Sequence, residues 1–210
     1  MSFKLNNGRV YGIVGDTDVS SEIARLLAGA SLPASGSVLI NGFDLLKESS
    51  KAKKFLGFVP AAPALYSAMT PVEYLLFLAN VRQFEYEQGI RRIGEVLSLA
   101  GLSHKRGSLI SSLTKYEKKC LTLLQALLCN TSILILEDPF FSLDAKESES
   151  FSSLISEISD QKTVIICTDQ ARYLRKLCDV IYKTDGTSLL SDTEKENTGT
   201  EIEREEENEQ

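Results

Sequence analysis

Unbroken apolar runs recur along the chain at Val10–Val14, Phe55–Val59, Ile133–Leu136 and Thr163–Cys167, with a further run around Val180–Tyr182. A strand that alternates apolar and polar residues has one wet face, whereas a continuous run suits a strand covered on both faces of a parallel sheet. Between these runs the apolar residues recur at helical spacing, which predicts helices over 20–27, 74–78, 90–100, 118–128 and 145–158. Thr70-Pro71-Val72-Glu73 and Thr114-Lys115-Tyr116-Glu117 read as capping boxes, the first with proline at the opening helical position. Asp18 is the expected N-cap of the first helix and Ala28-Gly29 its stop. Ser37 to Asp44 predicts a hairpin turning at Asn41-Gly42, and a short strand is expected between Phe3 and a turn at Asn6-Asn7-Gly8. The alternation of strand and helix predicts an α/β fold with a parallel sheet.

Composition narrows the class without changing this picture. The chain has 210 residues, enough for one sizeable core, and 43% of them are hydrophobic. No apolar run approaches the roughly 18 residues of a membrane span, and no basic-then-apolar leader opens the chain, so a cytoplasmic protein is expected. Cys120, Cys129, Cys167 and Cys178 lie in apolar contexts without metal-like spacing and read as reduced core residues. His104 sits in a polar loop and reads as a surface residue. The last twenty residues hold nine acids against Lys195 and Arg204, a net −7 within the chain's −6, so the first 190 residues carry +1. The segment 191–210 is therefore expected to be a solvated, disordered acidic tail. No basic stripe appears, which excludes a nucleic-acid surface.

The chemistry gathers where the run Ile133–Leu136 ends on Glu137 and Asp138. Carboxylates at the carboxyl end of a buried parallel strand lie where open α/β sheets bind ligands. Pro139 and Ser142-Leu143-Asp144 follow. In that order the stretch resembles the Walker B and D-loop segment of ATP-binding-cassette (ABC) ATPases, with the two acids interchanged. Tyr11-Gly-Ile-Val-Gly15 and Arg25-Leu-Leu-Ala-Gly29 resemble the cassette on either side of its Walker A loop. Ser37 to Asp44, the helices after Thr70, and the strands ending at Pro60, Thr168 and Tyr182 resemble the cassette in the same order. The resemblance covers residues 2 to 190. It implies a P-loop NTPase-like parallel sheet with a helical subdomain near 67–118 and a short antiparallel arm, the cassette's first strands and adenine-stacking aromatic residue being missing from the start. The text around Asn41 to Asp44 and Leu65-Tyr66 most resembles cassette subunits of bacterial two-component exporters.

By this resemblance the cofactors would be ATP and Mg²⁺. Gly15, Ser20, Ser21, Ala61, Thr114 and Asp144 would stand at nucleotide-binding positions, Glu137 at the metal and Asp138 and Asp169 at the catalytic base and switch. The residue types depart from that chemistry at each point. Ser20 or Ser21 falls where the loop lysine belongs, and the inner glycines are absent. Asp16 and Asp18 add negative charge, and one such repulsion at ~4 Å costs roughly 4 kcal/mol at an effective dielectric near 20. Ala61 replaces the sensing glutamine, Lys115 and Tyr116 the signature glycines, and Asp169 the switch histidine. Asp138 is shorter than the family's base glutamate by about 1.5 Å. The expected partners are a membrane-spanning transporter subunit and a second cassette, in a homo- or heterodimer. Three readings stay open: a non-hydrolysing cassette subunit that binds ATP weakly or not at all, a divergent but working ATPase that powers export, and a soluble scaffold without a transporter.

Overall fold

A computed structural model describes residues 2–129, 131–160 and 162–194. Strands and helices alternate as β1 (Val10–Val14), α1 (Thr17–Ala28), β2 (Leu39–Ile40), β3 (Phe43–Asp44), α2 (Ser49–Ala52), β4 (Leu56–Val59), α3 (Pro71–Val81), α4 (Tyr86–Leu99) and α5 (Lys115–Leu128). They continue as β5 (Ile133–Glu137), α6 (Ala145–Ser159), β6 (Thr163–Thr168), α7 (Ala171–Leu177), β7 (Val180–Thr184) and β8 (Leu189–Glu194). The main sheet runs β4-β5-β6-β1-β7-β8, parallel throughout except for the β7–β8 pair, and β2 with β3 forms a separate antiparallel hairpin.

The unbroken apolar runs are explained by what covers them. On β5, Ile133 and Ile135 join the core formed with Ile23, Ala24 and Ala28 of α1, while Leu134 and Leu136 join the core formed with α5, α6 and α7. On β6, Ile165 and Cys167 face the α1 side and Val164 and Ile166 the other. Both faces of these strands are thus dry, as the absence of alternation requires. Helices α3 and α4 belong to the same core through Tyr74, Leu75, Ile93, Val96 and Leu97. Gly29 ends α1 in the left-handed conformation at φ 64°, its amide donating to the Leu26 carbonyl. Asn41-Gly42 turns the hairpin as expected, with positive φ at both residues.

Three expectations need correction. No strand forms at residues 3–5; the Tyr11 hydroxyl instead accepts from the Asn6 amide and donates to the Asn6 carbonyl. Helix α1 starts at Thr17, not after Asp18, because the Asp16 carbonyl takes the Ser20 amide at 2.9 Å; Asp18 lies inside the first turn. The segment expected to be disordered from residue 191 contributes its first four residues to β8, which pairs from Thr184↔Leu189 to Val180↔Glu194. An edge strand forms through backbone bonds whatever its side chains, so no apolar pattern announces it. Residues 195–210, the remainder of that acidic segment, lie outside the described residues.

Candidate functional site

The carboxyl ends of β4, β5, β6 and β1 share one edge of the sheet, because these strands are parallel and adjacent. The loops leaving that edge carry Ala61, Glu137-Asp138, Asp169-Gln170 and Gly15-Asp16. Topology alone therefore gathers the sequence-predicted residues of the strand ends.

Glu137 is the last residue of β5, and its side chain is only 3% exposed. Arg25, near the end of α1, places Nη2 2.6 Å from Glu137 Oε1. The approach is a charge contact and not a directed hydrogen bond, since that buried oxygen accepts no aligned donor. At this distance between opposite charges, Coulomb attraction holds whatever the angle. The Arg25 side chain is half exposed, so its free end keeps water while it neutralises a carboxylate that has none.

Asp138 adopts φ 37°, in the left-handed region that aspartate tolerates better than most residues. Its amide donates to the Cys167 carbonyl at 2.8 Å, continuing the β5–β6 ladder by one bond. Its carboxylate is buried and accepts from Thr168 Oγ1 at 2.8 Å. Burial raises the Asp138 pKa, against the Thr168 bond, with the neighbouring Asp169 and Glu137 charges adding to the rise. Asp169 is exposed and turns to the start of α1, where Thr17 Oγ1 donates to its Oδ2 at 2.8 Å. This bond ties the loop after β6 to the loop after β1.

Ser20 and Ser21 sit within α1, as the expected helix over 20–27 requires. Ser20 is buried, and its hydroxyl donates to the Thr17 carbonyl at 3.2 Å. Gly15 is needed for packing: a Cβ there would lie 2.9 Å from Thr184 Cγ2 and 3.0 Å from the Thr184 carbonyl. The amides of the first turn are not closed by a side chain, since Asp16 makes no cap bond; the expected self-capped start is absent.

Lys119 is the residue that sequence reasoning passed over. It is 5% exposed, and its ammonium donates to the Ala61 carbonyl at 2.7 Å. Ala61 thus takes part through its backbone. Burial lowers the Lys119 pKa to about 8, the Asp138 and Glu137 charges opposing the fall. The available signal was its spacing: 119 shares the inner helical face with Leu123 and Leu127 while Lys118 does not. Arg25, quoted only as part of a flanking text, was missed as the partner of Glu137.

Thr114 and Asp144 serve as helix caps. Thr114 Oγ1 accepts from the Glu117 amide at 3.1 Å, and Asp144 Oδ1 from the Glu147 amide at 2.8 Å, each in a reciprocal box. Between Thr114 and Glu117 stand the exposed Lys115 and the half-buried Tyr116, whose ring meets Phe151 edge-on. The four cysteines form no disulfide among the described residues, and His104 is exposed with Nδ1 2.9 Å from the Gly101 carbonyl.

The ABC transporter family matches residues 1–141 of the chain. Similar curated proteins include the linearmycin resistance ATP-binding protein LnrL of Bacillus subtilis, 26% identical over 193 residues covering 91% of this chain and 62% of the relative. The methionine import ATP-binding protein MetN of Geobacillus kaustophilus is 26% identical over 85% of this chain and 54% of its own length. The Nod factor export ATP-binding protein I of Mesorhizobium japonicum is 26% identical over 85% of this chain and 53% of its own. The chain thus spans between half and two thirds of the length of these relatives. Among solved structures, cbiO1 from Clostridium perfringens, part of the ABC transporter complex cbiONQ, superposes with a TM-score of 0.81 over 90% of this chain and 78% of that one, at 22% identity. At that identity the likeness speaks for the fold. The family match adds descent to it, extending from β1 through the acid pair and Phe141: the chain belongs to the ABC transporter family.

Proposed function

We propose that this chain is a cassette subunit that does not hydrolyse ATP and binds it weakly or not at all, acting as a structural or regulatory partner of a membrane-spanning subunit or of a competent cassette. The observation that carries the reading is the state of the acid pair. Asp138 is buried and held by Thr168, and Glu137 is buried and held by Arg25. A general base must reach a water within about 2.6–3.2 Å. Asp138 reaches the Thr168 hydroxyl instead, and Asp169 in the switch position engages Thr17. As a magnesium site the donor set does not fit, since the carboxylate that would hold the ion already faces a guanidinium. At the lysine position Ser20 spends its hydroxyl inside its own helix.

Docking on a membrane-spanning subunit is supported by the outer side of the α3–α4 pair. Phe77, Val81 and Ile90 are exposed there together with Tyr66 and Tyr86. Tyr66 packs edge-on against Phe77 with ring centroids 5.9 Å apart, so these two rings present a joint apolar surface. No helix among the described residues is long and apolar enough to cross a membrane, and a peripheral place on the inner membrane face is part of this proposal. A homo- or heterodimer with another cassette belongs to it as well.

The active-ATPase reading has one observation in its favour: the first-turn amides of α1 carry no side-chain cap, and such amides bind phosphate in other proteins. Phosphate release from Mg-ATP by the purified chain decides between the two. Release should equal that of Asp138→Ala. Turnover that Asp138→Ala abolishes would establish the ATPase. Co-purification with a membrane-spanning subunit tests the docking part, and Phe77→Asp should weaken it while leaving the fold intact.

A further inference from the structure

We infer that Arg25 is the resident cation of Glu137, filling the electrostatic role of a divalent ion at this edge of the sheet and tying α1 to β5. The inference rests on the proposed reading of the site and goes beyond it by naming what replaces the metal.

A carboxylate only 3% exposed needs a counter-charge, because an isolated one would be too costly to keep ionised. Arg25 supplies it at 2.6 Å from a helix whose Ile23 and Ala24 are fixed in the core against β5 and β6. Both partners are therefore held by rigid elements, not by a loop that a ligand could reorder. A magnesium ion requires near-octahedral oxygen donors at about 2.0–2.1 Å. Among the described residues no group of three or more His, Cys, Asp or Glu side chains is placed to hold a metal. The adjacent Asp138 carboxylate is directed to Thr168. The buried Lys119 ammonium adds a second positive charge that acts on both acids, while Arg25 is the one in contact with Glu137. Two built-in cations thus stand against two acids.

Manganese is a suitable probe, because its free ion is counted directly by electron paramagnetic resonance. Full-length protein is titrated with Mn²⁺ in the absence of nucleotide, comparing the unmodified chain, Glu137→Gln, Arg25→Met and the double variant. The acidic segment after residue 194 will hold some Mn²⁺ in all four, so only differences count. The unmodified chain and Glu137→Gln should bind equally. Arg25→Met should gain one site, which the double variant loses. A site in the unmodified chain that Glu137→Gln removes overturns the inference, and so does an Arg25→Met variant that gains none. Should Arg25→Met fail to fold, the comparison of the unmodified chain with Glu137→Gln decides alone. Because nucleotide is absent, the titration reads the Arg25–Glu137 pairing by itself, and failure here is distinguished from failure of the proposed function, which ATP affinity and phosphate release read.

Discussion

Helices α3, α5 and α6 each begin on a reciprocal cap, Thr70 with Glu73, Thr114 with Glu117 and Asp144 with Glu147, whereas α1 begins behind an Asp16 whose side chain caps nothing. The capped helices carry the fold: their amides are closed locally, and their inner faces fill the larger core. The start of α1 is held by long-range contacts, from Thr17 to Asp169, while Arg25 in its last turn reaches Glu137. The capped helices are thus closed by local rules, and the loops at the carboxyl ends of the strands are tied by bonds between distant segments.

The largest effect should come from breaking the tie between α1 and β5. Arg25→Met leaves the buried Glu137 without its counter-charge; pairs of this kind cost about 3–5 kcal/mol when both members are buried, and about 2–3 kcal/mol is expected here because Arg25 is half exposed. Urea unfolding measures it. A loss below ~1 kcal/mol would mean that α1 is anchored by packing alone.

Lys119 gives the next effect, and it depends on pH. Its folded pKa of about 8 lies below the 10.5 of the unfolded chain, so between these values the unfolded chain binds more protons. Stability should therefore rise with pH across that window relative to Lys119→Met, by roughly 2 kcal/mol between pH 8 and 9.5. Tyr116 and Cys120, both pushed up to about 12 by burial, act in the opposite direction in both proteins and cancel in the comparison. A flat difference between the two proteins would show that Lys119 is not penalised by burial.

Removing a cap comes third. Thr114→Ala and Thr70→Ala should each cost about 1 kcal/mol, and Asp16→Ala less than ~0.5 kcal/mol. If Asp16→Ala costs as much as Thr114→Ala, the contrast between the helix starts collapses. On turnover the smallest effect is expected: Ser20→Lys, though destabilising at this buried position, should not create ATPase activity, since Asp138 and Asp169 remain bonded to Thr168 and Thr17.

What could be read from the sequence was what is local. The doubly buried strands announce themselves in Ile133–Leu136, and the capping boxes in four-residue texts beginning at Thr70 and Thr114. The Asn41-Gly42 hairpin is equally legible. The site was legible only as positions. Arg25 and Glu137 are separated by more than a hundred residues and meet because α1 packs across β5, which no spacing rule encodes. Lys119 looks like one of two surface lysines until α5 is docked. The start of α1 was misplaced because Asp18 has the right chemistry for a cap, but the Asp16 carbonyl begins the hydrogen-bond ladder two residues earlier. Strand β8 was hidden because backbone pairing leaves no trace in side-chain polarity.

Calorimetric titration of the full-length chain with Mg-ATP tests the central claim most directly. A triphosphate must have its charge neutralised by loop amides, a lysine and a bound metal; in the proposed reading Ser20 stands in the lysine's place and Arg25 engages Glu137, the carboxylate that would hold the metal. The expected dissociation constant is weaker than about 1 mM, equivalent to only ~4 kcal/mol of binding. A constant in the low micromolar range would contradict it and establish a nucleotide-binding cassette.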